Sequence, residues 1–108
     1  MTSFPMLLDA PTALSRLQDG SAVLVDVRER AEVARAAFDA PNVVQMPLSE
    51  FERRHRELPL DREVILACAT GARSFQAMQY LVHHGWRKVA NLQGGIGVWR
   101  THGLPVKA

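Results

Sequence analysis

The chain contains one cysteine, Cys68, at the head of the stretch Cys68-Ala69-Thr70-Gly71-Ala72-Arg73-Ser74. Directly before it runs Glu63-Val64-Ile65-Leu66-Ala67, whose apolar, β-branched core reads as a buried strand. Directly after it, Phe75, Met78, Leu81 and Val82 recur at helical spacing and Gly85 closes the helix. A cysteine between such elements lies where backbone N–H groups without intrahelical partners converge and can point at an anion. The helix dipole adds partial positive charge at the same place. Both effects favour the thiolate, which is the nucleophilic form. A free thiol is only a few per cent ionised at neutral pH, so a pKa drop of about one to two units raises the reactive fraction strongly. Gly71 permits the tight curl that aims the amides inward. Arg73 supplies a permanent charge and a planar fork for an oxyanion, and Thr70 and Ser74 supply hydroxyls. The expected chemistry is attack by Cys68 on a sulfur donor whose anionic oxygens rest against Ala69, Thr70, Gly71, Ala72, Arg73 and Ser74. A lone buried cysteine is by default an inert small hydrophobe. Gly, Arg and Ser clustered so soon after a strand are poor core residues and good anion binders.

These residues need a scaffold that presents strand ends. The chain has 108 residues, which suits one domain over 1–108 with a core that needs no disulfide or metal staple. Short apolar runs alternate with helix-like segments, the pattern of a parallel α/β sheet. Strands are expected at 6–8, 22–27, 42–45, 63–67 and 88–92. Helices are expected after the Asp9 cap with Pro11 in the first turn, over 29–37, over 49–58 with Ser49 and Glu52 as a capping box, after the cysteine loop, and over 96–101. The fold class is therefore α/β: a five-stranded, mostly parallel sheet in a three-layer α/β/α arrangement. Right-handed crossovers place helices on both faces, and ligands bind at the carboxyl ends of the strands, where Cys68 sits.

Composition excludes several other functions. Thirteen basic against 11 acidic residues leave a net charge of +2, and no aromatic-interleaved basic stripe marks a nucleic-acid binder. The densest basic patch, Arg53-Arg54-His55-Arg56, reads as a solvated helix face. The four histidines lack metal-ligand spacing and read as surface residues, so no metal and no organic cofactor is expected. No apolar run approaches a membrane span. A free thiol with no secretory signal is expected in a reducing compartment, the cytoplasm. Met78 and Tyr80 read as core rather than as part of a cofactor site.

Three stretches, in order, resemble the rhodanese-like domain in its single-domain form. Leu24-Val25-Asp26-Val27-Arg28-Glu29 resembles the family's strand ending in Asp-x-Arg. Cys68-Ala69-Thr70-Gly71-Ala72-Arg73-Ser74 resembles its active-site loop. Leu92-Gln93-Gly94-Gly95-Ile96-Gly97-Val98-Trp99 resembles its Leu-x-Gly-Gly segment followed by Trp. The resemblance implies a sulfurtransferase that moves a sulfane sulfur from thiosulfate or another persulfide donor to a thiol or cyanide through a Cys68 persulfide. The loop amides would stabilise that persulfide, and Arg73 would orient the donor and brace the loop. Asp26 and Arg28 are expected either to support the loop from neighbouring strand ends or to form a structural ion pair or strand-end cap. The glycine pair and Trp99 are expected to be a turn and a core anchor.

The resemblance also bears on reaction type. Four residues separate Cys68 from Arg73. The related phosphatases and arsenate reductases carry one more, so this loop has the sulfurtransferase length. Residues 36–42 depart from the family's Gly-His-Ile-Pro-Gly-Ala pattern. Ala69, Thr70 and Ala72 carry no charge, which points away from thiosulfate and toward a thiol or protein persulfide as donor. The alternative readings are a non-catalytic sulfur-sensing or partner-binding module and, disfavoured by the loop length, a phosphatase or arsenate reductase.

Overall fold

The computed structural model describes residues 6–108, so the first five residues, part of the segment read as lacking a signal, lie outside it. Five strands form one parallel sheet: β1 (Met6–Leu8), β2 (Ala22–Asp26), β4 (Val43–Gln45), β5 (Glu63–Ala67) and β6 (Val89–Leu92), in the order β1-β6-β5-β2-β4. Two further short strands, β3 (Ala37–Phe38) and β7 (Val106–Lys107), pair antiparallel with each other. The helices are α1 (Ala10–Gln18), α2 (Arg30–Arg35), α3 (Leu48–Arg54), α4 (Ala72–His83) and α5 (Gly95–Thr101), with a 3₁₀ turn at His55–Glu57.

The central strands are apolar because both sides of the sheet are covered. Every residue of β2 is buried, and alternate side chains enter different cores. Leu24, Ile65 and Ala90 pack with Leu17 of α1 and Trp99 of α5. Val25, Val64 and Leu66 pack with Phe51 of α3 and Met78 and Leu81 of α4. Asp9 caps α1, its carboxylate accepting from the Thr12 N–H at 2.8 Å, with Pro11 in the first turn.

Five expectations change. The helix expected over 29–37 is only Arg30–Arg35, because the chain turns extended at Ala36 and Ala37 enters β3. The capping box belongs to α2: Glu29 and Glu32 exchange backbone and side-chain contacts there. Helix α3 opens one residue before Ser49, because the Leu48 N–H is anchored to the Val27 carbonyl at 2.9 Å. Ser49 therefore falls inside the first turn, and its hydroxyl bonds Glu29 instead. His55 is not on a solvated face: it is 7% exposed, with its ring against Phe51 and Tyr80. Phe75 is 44% exposed, and Val82 is exposed too, because α4 buries only the stripe through Ser74, Ala77, Met78 and Leu81.

The strands β3 and β7 have only two residues each, too few for any periodicity to reveal. They tie the C-terminal segment to the segment after α2, where Asn42 holds a left-handed φ of 60° and its amide reaches the Leu17 carbonyl. Among the described residues, no helix is long and apolar enough to cross a membrane.

Candidate active site

Cys68 leaves β5 at its carboxyl end, one residue before the chain turns toward α4. It is 1% exposed, so the sulfur lies at the floor of its loop. Two donors touch it. The Gly71 N–H reaches Sγ at 3.0 Å, and the Ser74 hydroxyl reaches it at 3.3 Å. Burial alone would push the thiol pKa up. The Ser74 hydroxyl and the amides of Ser74, Gly71 and Thr70 outweigh burial, and the pKa lies below that of an ordinary thiol. The loop therefore favours thiolate, as a nucleophile requires.

Gly71 makes this geometry available. It sits at the N-cap of α4 with φ 110°, a conformation closed to residues with side chains. Its carbonyl accepts from Asn91 Nδ2 at 3.1 Å, and Asn91, on β6, is 3% exposed. Asn91 Oδ1 has no hydrogen-bond partner among the described residues. The two carbonyls at the start of the loop are held from the other side. Ile96 N–H donates to the Cys68 carbonyl at 2.9 Å, and Gly97 N–H donates to the Ala69 carbonyl at 3.2 Å. With those carbonyls turned toward α5, the following amides face the sulfur.

Gly94 and Gly95 are thus more than a turn. A Cβ on Gly95 would meet the Cys68 oxygen and Ala69 backbone well inside 3.0 Å, so only glycine lets α5 come this close. Gly95, Ile96, Gly97 and Asn91 are loop supports that sequence reasoning missed. The glycine pair was a visible signal; the amide contacts follow from packing that no local pattern encodes.

Arg73 does not stand free above the sulfur. Its two terminal nitrogens bind both oxygens of Glu32 on α2, at 2.7 and 2.8 Å. The pairing holds the Glu32 carboxyl down to about 2 and raises the Arg73 pKa further. Asp26 and Arg28 form the buried ion pair that was one of their two readings. Arg28 binds both Asp26 oxygens, donates to the Ala36 carbonyl at 2.9 Å and lies 5.6 Å from the centre of the Phe38 ring. The pair fastens the end of β2 to the segment leading into β3. No hydrogen bond from either side chain to Cys68 is found among the described residues.

Ala69, Thr70 and Ala72 contribute backbone, and Thr70 its amide, to the curl around the sulfur. Among the described residues, no three His, Cys, Asp or Glu side chains gather as metal ligands. A cavity of about 280 Å³ between α3 and α4 is lined by Phe51, Gln76 and Tyr80 but does not include Cys68.

Residues 9–102 match the family model described as the rhodanese-like domain. A protein named sulfurtransferase from Allochromatium vinosum is 42% identical over 94% of each chain. The thiosulfate sulfurtransferase GlpE of Pseudomonas fluorescens is 35% identical, covering 84% of this chain and 82% of its own. Among solved structures, a rhodanese-related protein from Thermoplasma volcanium superposes with a TM-score of 0.84 at 26% identity, covering 94% of this chain and 97% of that one.

Proposed function

Because the chain belongs to the rhodanese-like domain family, we propose that it is a sulfurtransferase working through a persulfide on Cys68. The observation that carries this reading is the convergence of the Gly71 amide and the Ser74 hydroxyl on Cys68 Sγ, with the thiol pKa lowered by them. The thiolate attacks the outer sulfur of thiosulfate or of a persulfide donor. A new S–S bond forms as the donor's own S–S bond breaks. Sulfite, or the donor thiolate, leaves with the electron pair of the broken bond.

The Cys68 persulfide is an anion one bond longer than the thiolate. Its outer sulfur rises into the ring of amides over 69–74, where oriented N–H groups stabilise it without reorganisation. A nucleophilic acceptor, cyanide or a thiolate, then attacks that outer sulfur and the Cys68 thiolate returns. Neither half-reaction consumes an oxidant, a metal or an organic cofactor. The small cross-section of a sulfur atom fits a loop with four residues between Cys68 and Arg73. The proposed location is the cytoplasm, where a lone free thiol such as Cys68 stays reduced.

The test is an intact-mass measurement without reductant after incubation with thiosulfate and, separately, with a cysteine persulfide. The expected result is a gain of about 32 Da, absent in Cys68→Ser and removed by cyanide, as sulfur on an activated thiolate requires. A gain that persists in Cys68→Ser would remove Cys68 from the chemistry. A gain that no acceptor discharges would favour a sulfur-sensing module.

A further inference from the structure

Arg73 is the one side-chain cation of the cysteine loop, and both its terminal nitrogens are engaged by Glu32. Both Glu32 oxygens bind it, and the two side chains are equally half-exposed, so the pair lies at the rim rather than in the core. A second carboxylate, Glu29, begins the same helix and acts on Arg73 through space, as Arg28 acts on Glu32 and Arg30 on Glu29. The pairing keeps Glu32 ionised down to about pH 2, so the guanidinium next to the thiolate is matched by a carboxylate in contact with it. A loop that presents amides to an anion therefore has its one side-chain cation already neutralised and offers a dianion little further attraction.

Resting on the sulfur-transfer reading, we propose that Glu32 is a specificity-determining residue: by occupying Arg73 and adding its own charge, it selects against dianionic donors such as thiosulfate and in favour of persulfide donors of low net charge. Repulsion scales with the donor's charge, so a dianion feels twice the effect of a monoanion at the same distance. Such a rim charge acts mainly on encounter and on kcat/KM, and it is screened by salt.

Glu32→Gln separates charge from structure. Glutamine serves the N3 position of a capping box as glutamate does, so α2 keeps its start. Its amide oxygen still accepts one hydrogen bond from Arg73. Only the charge and one oxygen acceptor are lost.

Two measurements on the full chain read the effect. The first compares kcat/KM for thiosulfate with that for cysteamine persulfide, whose ammonium offsets its persulfide charge. Glu32→Gln should raise the thiosulfate value roughly five- to tenfold at low salt, with the gain shrinking as salt is added. The cysteamine persulfide value should change less than about twofold. The second needs no sulfur transfer. It compares alkylation of Cys68 by iodoacetate and by iodoacetamide, read by intact mass. Any change in thiol pKa alters both rates alike, so their ratio reports only the field met by the incoming anion. That ratio should rise about threefold in Glu32→Gln.

Donor preference and alkylation ratio both unchanged would overturn the role of Glu32, as would an equal gain for both donors. If no donor sulfurates the wild type while the alkylation ratio still moves, the charge filter stands and the sulfur-transfer reading falls.

Discussion

Burial and hydrogen bonding pull the Cys68 thiol in opposite directions, and the hydrogen bonds win. Desolvation is the largest influence and opposes ionisation; the Ser74 hydroxyl is the largest single force against it, followed by the amides of Ser74, Gly71 and Thr70. A hydroxyl can donate to the thiolate but gains nothing comparable from the thiol, so it lowers the pKa. Ser74→Ala removes that donor and leaves the amides. The pH midpoint of iodoacetamide alkylation should then rise, with the rate well above the midpoint nearly unchanged. An unmoved midpoint would assign the whole effect to the backbone. Linkage gives the same group a stability signature. Because the folded pKa is lowered, the thiolate's contribution is present above the unfolded thiol pKa and fades as pH falls through the folded value. Ser74→Ala narrows that window from below.

At the scale of elements, two helices serve one loop from opposite sides. The first turn of α4 supplies the donors, while α5 fixes the carbonyls of Cys68 and Ala69 through the amides of Ile96 and Gly97. The approach depends on Gly95, which has φ 58° and no room for a Cβ. Gly95→Ala forces α5 away from the loop and should cost about 2–4 kcal/mol in denaturant unfolding. It should also slow Cys68 alkylation at neutral pH, because freed carbonyls no longer hold the amides on the sulfur. Loss of stability with unchanged alkylation would show that the loop keeps its curl without α5. Much of this layout was legible in the sequence. The strand at 63–67 has the same bounds in both, since apolar β-branched residues between Asp61-Arg62 and the loop leave one choice. The proposed nucleophile was legible by type and place, since Cys68 is the one thiol of the chain and stands directly after that strand. The Arg73–Glu32 pair was not, because it joins residues 41 positions apart across two helix starts. Nor was the true capping box, since Ser49-x-x-Glu52 carries the stronger local signal and loses only through a long-range bond from Leu48.

The whole molecule is a sheet between two separate cores, and Cys68 belongs to only one of them. Its side chain packs with the α3–α4 layer, in the cluster that holds Met78 and Leu81. Leu17 lies in the other layer, at the end of α1 nearest the start of β2, where its carbonyl accepts from Asn42. The carboxyl ends of the strands, where the loop sits, are at the opposite edge of the sheet. Leu17→Ala and Met78→Ala each empty a fully buried site and should each cost about 2–5 kcal/mol, lowering Tm by on the order of 10 °C. Their effects on the site should differ. Below its transition, Leu17→Ala should alkylate at Cys68 within about twofold of wild type, because Leu17 lies outside the cluster that holds Cys68 and acts on the loop only indirectly, through its packing with Trp99 of α5. Met78→Ala opens space in the layer that seats the sulfur and α4, so its alkylation rate and pH midpoint should both shift. Equal shifts in the two variants would mean that the parallel sheet transmits packing defects across its thickness. Unequal shifts would mean that stability comes from both layers, while the reactivity of Cys68 depends on the α3–α4 layer and the α5 brace.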